Sequence, residues 1–171
     1  MNYKYEIQPR KKLRRSLYNY SSCAYYFITI CTNNRQCLFG DIYNNTMYLN
    51  NAGKMIHNTL GAINNTYVGW HTDTHIVMPN HMHAILKLSK QHINQPKSLG
   101  LPQLMRKIKS LTNVYYIKKV YLENWQPFHK HLWQRSYYEH VIRNASALDN
   151  IRNYIKQNPS KWLTDNYNPH L

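Results

Sequence analysis

Acidic side chains are scarce: 7 Asp and Glu stand against 22 Lys and Arg in 171 residues, a formal net charge of +15 with His neutral. No apolar run approaches the roughly 18 residues of a membrane span, and no signal-peptide pattern opens the chain, so a cytoplasmic protein is expected. The three cysteines, Cys23, Cys31 and Cys37, form no CxxC pair. An odd, unpaired set reads as reduced thiols and argues against a disulfide frame or a zinc knuckle. Glycine totals only 5, with no repeat and no Gly/Ser linker, which points to one domain. No GxxxxGK[ST] loop is present, so ATP-driven chemistry has no phosphate cradle. Aromatic residues make up 13% of the chain, too many for a disordered one.

The basic residues that remain are clustered. Arg10, Lys11, Lys12, Arg14 and Arg15 place five cations within six positions. Between Asp73 and Glu123 there is no carboxylate, while Lys87, Lys90, Lys97, Arg106, Lys107, Lys109, Lys118 and Lys119 all lie there. A surplus of this size repels itself and is kept for an anionic partner. The 16 tyrosines and many asparagines add stacking rings and amide hydrogen bonds, which favours nucleic acid over a membrane surface. AT-rich coding accounts for the abundance of Asn, Lys and Tyr but not for the clustering.

Residues 1–19 read as a basic N-terminal arm, 20–163 as the domain and 164–171 as a C-terminal tail. The β-branched and aromatic run from Tyr25 to Thr32 predicts a central strand. Asn51 to Ile63 predicts a helix with Ala52, Met55, Ile56 and Leu60 on one side. Tyr67 to Met78 and His81 to Leu88 predict two strands joined through Pro79-Asn80. Pro102 suits the first position of a helix, whose stripe would be Leu104, Ile108, Leu111 and Tyr115. Arg106 and Lys109 then point away from that stripe and Lys107 flanks it. Phe128 to Tyr138 reads as a further strand. Ser146 and Asp149 resemble a capping box opening a helix that ends near Asn158, before Pro159. The order β-α-β-β-α-β-α predicts an α+β fold: a small antiparallel sheet flanked by helices, related to the ferredoxin-like plan.

Two local patterns carry chemistry. On a strand, His81 and His83 share a face while Met82, Ala84, Leu86 and Leu88 point into a core. Paired imidazoles on one face suit a divalent cation, although in a chain with 10 His such a pair by itself is more often structural or incidental. His71 and His75 lie on the preceding strand. In the last helix, Tyr154 and Asn158 are i and i+4 neighbours along the border of a stripe formed by Leu148, Ile151 and Ile155. The plain alternative is a core-flanking Tyr and a C-terminal Asn cap.

Taken together, these stretches resemble the REP-associated tyrosine transposases of the HUH single-tyrosine nuclease superfamily. The resemblance runs from Tyr26-Phe27-Ile28-Thr29-Ile30-Cys31-Thr32, Asn34-Arg35 and Leu38-Phe39-Gly40 through Met78 to Ile85. It continues with Trp133-Gln134-Arg135, His140 to Asn144, Tyr154-Ile155 and Asn158-Pro159, so it spans roughly residues 20 to 163 in the family's order. The resemblance implies that His81 and His83 hold the catalytic metal and that Tyr154 is the nucleophile. Asn158 falls where the superfamily supplies a third, amide-type ligand. Tyr137 and Tyr138 fall in a matching segment and are read as strand residues that support the site or stack on DNA.

It further implies a metal-dependent endonuclease and strand transferase acting on single-stranded or hairpin DNA through a 5′-phosphotyrosine. Mg²⁺ or Mn²⁺ suits that chemistry. Arg10, Lys11, Lys12, Arg14 and Arg15, with Arg106, Lys107 and Lys109, would bind the DNA backbone. With no carboxylate among these ligands, the site would keep the full charge of the ion for its substrate. The alternatives are a hairpin-binding protein without catalysis and a relaxase or replication initiator, the latter disfavoured by the short chain. Monomer and homodimer both remain open.

Overall fold

The computed structural model describes residues 25–89 and 99–169. The arm with Arg10, Lys11, Lys12, Arg14 and Arg15 lies outside the described residues. At the centre is β1 (Tyr25–Cys31), whose side chains alternate between two packed layers. It pairs antiparallel with β5 (His81–Leu88) on one side and β6 (Tyr138–Ile142) on the other. β4 (Trp70–Val77) completes the sheet at the outer edge of β5, giving the order β4-β5-β1-β6.

The period-two pattern divides the sheet faces. Tyr26, Ile28, Ile30, Met82, Ala84, Leu86 and Leu88 enter the main core with buried residues of α1 (Asn51–Gly61) and α3 (Leu101–Glu123). The opposite face carries Phe27, Thr29, His81, His83 and Ile85, and α4 (Ala145–Gln157) packs there around Ile85, Ile142 and Ile155. The α+β class and the antiparallel sheet with flanking helices are as the sequence predicted. Among the described residues, no helix is long and apolar enough to cross a membrane.

Several expectations are corrected. A two-stranded hairpin, β2 (Gly40–Tyr43) and β3 (Thr46–Leu49), follows β1 and was not expected. Its turn residues Asn44 and Asn45 have φ of 47° and 60°, the left-handed geometry that two-residue hairpins need and that asparagine tolerates. The helix expected to reach Ile63 ends at Gly61, and a separate turn, α2 (Ile63–Thr66), follows.

In α3 the buried set is Leu101, Leu104, Met105, Ile108, Thr112 and Tyr116, while Leu111 and Tyr115 are exposed. The stripe turns one residue aside because Thr112 Oγ1 accepts a hydrogen bond from Trp133 Nε1 at 2.9 Å and donates to Ile108 O at 2.8 Å. Phe128 to Tyr137 is not a strand. It is a loop that seats Leu132 and Trp133 in the core and bridges to Thr32, beyond the end of β1, through Trp133. The cap of α4 is Asn144, whose side chain accepts from Ala147 N at 2.8 Å, and not Ser146.

Candidate active site

His81 and His83 leave β5 on the α4 side, opposite Cys31 and Thr29 of β1. Both are buried, and their rings lie 4.7 Å apart. Each Nδ1 has a partner: Asn80 Oδ1 at 2.8 Å for His81 and Thr29 Oγ1 at 2.8 Å for His83. Asn80 cannot turn its amide, because its Nδ2 donates to Arg35 O at 3.0 Å and Tyr167 O at 2.7 Å. Only its oxygen therefore faces His81, so the proton sits on Nδ1 and the Nε2 lone pair is free. This is how outer partners orient metal-binding histidines.

α4 presents the other two residues. It is held to the sheet by Ile155 and by Arg152, which donates to both carboxylate oxygens of Asp73 at 2.8 and 2.5 Å. Tyr154 Oη then lies 3.4 Å from His83 Nε2, a long hydrogen bond, with its ring edge-on to Phe27. The Tyr154 side chain is half-exposed at 38%, so an incoming strand can reach it.

Asn158 stays in the α region, φ −57° and ψ −42°, although the residue before a proline is biased away from it. The chain continues directly into a 3₁₀ turn, Pro159–Thr164, where a proline at the first position loses no needed N–H. The turn buries Trp162 beside His81. Asn158 is consequently buried and faces the imidazoles.

His81 Nε2 and Asn158 Oδ1 are buried without a hydrogen-bond partner, a costly pair to leave unmatched. The Asn158 amide nonetheless lies close enough to influence both His81 and Tyr154. Burial, chiefly, holds His81 well below the ordinary imidazole value, with the neighbouring His83 adding to the effect. Burial takes His83 down to about 3. Both imidazoles are therefore neutral, as metal ligands must be. The free Nε2 of His81, the Nε2 of His83 beside Tyr154 and an orphaned amide oxygen are donors of the kind a divalent cation takes. Among the described residues no three His, Cys, Asp or Glu side chains form such a group by themselves. Burial, and then the charge of Asp165, raises the Tyr154 phenol above its usual value.

Sequence reasoning missed the segment after the last helix. Asp165 Oδ2 lies 4.0 Å from His81 Nε2, and the Tyr167 ring is 4.7 Å from that of His81. A lone carboxylate in a stretch without periodicity gives no signal in the sequence. Three clefts are linked by shared lining residues. One of about 370 Å³ is lined by Tyr154, Asn158, Lys161, Asp165 and Tyr167. A second shares Tyr167 and adds Thr29, Gln134 and Tyr138. A third, of about 230 Å³, meets the second at Tyr137 and is lined by Arg106, Lys109 and Arg135.

Tyr154, Asn158, His81 and His83 thus come together, and Arg106 and Lys109 stand apart from them on a basic cleft. Lys109 is turned inward, donating to Gln134 O and Arg135 O, whereas Arg106 and Lys107 are exposed. Tyr138 opens β6, while Tyr137 precedes it in the loop.

An uncharacterized protein of Haemophilus influenzae is 35% identical over 167 residues, covering 93% of each chain. The fold matches a REP-associated tyrosine transposase solved with a REP hairpin at a TM-score of 0.53 and 22% identity, over 81% of this chain and 67% of that one. It also matches a candidate transposase of Deinococcus radiodurans R1 at a TM-score of 0.51 and 17% identity, over 84% of this chain and 95% of that one. The profile of the family described as "Transposase IS200 like" matches residues 19–158, so this chain belongs to the IS200-like transposases, a family of DNA-processing enzymes.

Proposed function

We propose that the protein is a metal-dependent, single-tyrosine HUH endonuclease and strand transferase acting on single-stranded or hairpin DNA. The observation that carries the reading is the placement of Tyr154 Oη 3.4 Å from His83 Nε2, beside His81 and Asn158. The phenol oxygen attacks the scissile phosphorus, the phenolic proton is released, and the 3′ oxygen leaves as a hydroxyl. The product is a 5′-phosphotyrosine whose ester can later be attacked by a 3′-OH to rejoin strands.

Ionising an ordinary phenol at pH 7 costs about 4 kcal/mol. Burial and Asp165 add to that for Tyr154, so free ionisation does not supply the nucleophile. Mg²⁺ or Mn²⁺ held by His81, His83 and Asn158 would polarise a non-bridging phosphate oxygen. Phe27 and Ile155 fix the rotamer and the helix of Tyr154, and Lys161 supplies a cation at the mouth of its cleft. The joined clefts toward Tyr137, Arg106 and Lys109 suit the flanking strand, with cations for phosphates and rings for bases. Arg10 to Arg15 and Lys107 would add contacts to the backbone.

The test is incubation with labelled hairpin DNA and Mn²⁺, followed by denaturation. A covalent adduct is expected in the wild type and its loss in Tyr154→Phe, with Mn²⁺ binding unchanged. Adduct formation that survives in Tyr154→Phe refutes the assignment of the nucleophile. Hairpin binding with no adduct in the wild type leaves a binding protein on this fold.

A further inference from the structure

We propose that Asp165 supplies a carboxylate to the divalent-cation site, so that His81 Nε2, His83 Nε2, Asn158 Oδ1 and Asp165 Oδ2 form one mixed ligand set. This rests on the reading of the two histidines and Asn158 as a cation site.

The contact between His81 and Asp165 sets two electron-rich atoms facing each other. His81 Nδ1 gives its hydrogen to Asn80 Oδ1, and the Asn80 amide is locked by its two backbone carbonyl acceptors. The atom of His81 that faces Asp165 Oδ2 at 4.0 Å is therefore a bare lone pair. Asn158 Oδ1, also an acceptor, is buried without a hydrogen-bond partner. Asn158 and Asp165 line one cleft, His81 Nε2 lies 4.0 Å from Asp165 Oδ2, and the Asp165 side chain is only 7% exposed. Such groups repel one another unless positive charge lies between them.

The carboxylate is also held in place. Its other oxygen accepts from Tyr167 N at 2.8 Å. The backbone on either side is tied by Asp165 N to Trp162 O at 3.1 Å and by Asn168 N to Asp165 O at 2.8 Å. Two ligands of one octahedral Mg²⁺ or Mn²⁺, each about 2.1 Å from the ion, are about 3 Å apart when adjacent and about 4 Å when opposite. The spacing from His81 is of that size. Among the described residues His81, His83 and Asp165 do not form a metal-holding cluster by themselves, so the set depends on the Asn158 oxygen as a further donor. A carboxylate suits hard, oxygen-loving cations, whereas imidazoles alone favour later transition metals. It also cancels one charge of the ion, in contrast to the wholly neutral ligand set expected from the sequence.

The experiment measures Mn²⁺ binding to the full chain by electron paramagnetic resonance of the free ion, without DNA. It compares wild type, Asp165→Asn, Asp165→Ala and His83→Ala. Asp165→Asn keeps the volume and the acceptor for Tyr167 N, so its metal-free melting temperature is expected to match that of wild type. Both Asp165 variants are expected to weaken Mn²⁺ binding tenfold or more. If His83→Ala loses binding while both Asp165 variants stay within tenfold of wild type, the proposal is overturned and the cation site stands. In that case Asp165 serves to fix the segment after the last helix through its bond from Tyr167 N. If wild type binds no Mn²⁺, or His83→Ala binds as wild type does, the cation reading fails and this proposal with it.

Discussion

Replacing Asn80 with alanine should damage the site without touching any proposed ligand. The Asn80 side chain makes three hydrogen bonds in a fully buried position: to His81 Nδ1, Arg35 O and Tyr167 O. Its removal leaves the His81 N–H without an acceptor, a loss of about 1–3 kcal/mol for one buried group. The two carbonyls lose their donor as well, so about 3 kcal/mol of stability is expected to go, read by urea unfolding. The proton of His81 would no longer be held on Nδ1, and outer partners of this kind are worth about 10–100-fold in metal affinity. Mn²⁺ titration of the folded variant measures that loss. Asn80→Asp keeps the acceptor while losing both donors, so it should lose stability yet bind Mn²⁺ at least as tightly as wild type. An alanine variant that binds Mn²⁺ like wild type would show that Asn80 does not set the tautomer.

Two further outcomes follow from charge. His81 and His83 are neutral in the fold, with His83 at about 3, whereas unfolded imidazoles take up protons below about 6.5. The unfolded chain therefore binds more protons; this pair should lower stability by about 2 kcal/mol per unit as pH drops from 6 to 5, and His75, held at about 4 chiefly by burial, adds to the fall. Unfolding curves that are flat across that interval would contradict the buried, neutral pair. Arg106→Ala should weaken hairpin binding and lower the slope of log affinity against log salt by about 0.7; an unchanged slope would remove Arg106 from the DNA interface.

Much of the plan was legible where periodicity and pairing agree. The alternation around His81-Met82-His83 placed both imidazoles on one face, and the spacing of Tyr154 and Asn158 placed both on one side of α4. Periodicity alone failed where a polar residue took a core position. Thr112 replaces Leu111 in the buried stripe because its hydroxyl meets Trp133, and a shift of one residue turns a helix face by about 100°. Aromatic density also misled: Phe128 and Trp133 fill the core from a loop in which Lys130 has a φ of 62°. The hairpin at Asn44-Asn45 carried a turn signal that length obscured, since its strands have only four residues each. Asp165 and Tyr167 reach the site through backbone ties to Trp162 and Asn80, contacts that no spacing rule announces.

The two faces of the sheet are unequally anchored. Beneath α4 the fully buried apolar residues are Ile85, Ile142 and Ile155, while the opposite face shares a core that extends through α1, α3 and the hairpin side. Little hydrocarbon thus fastens the tyrosine-bearing helix, and the Arg152–Asp73 clamp is its main polar tie to the outer strand. Loosening of this layer leaves the rest of the molecule folded, so amide hydrogens of α4 should exchange ahead of those in β1 and β5.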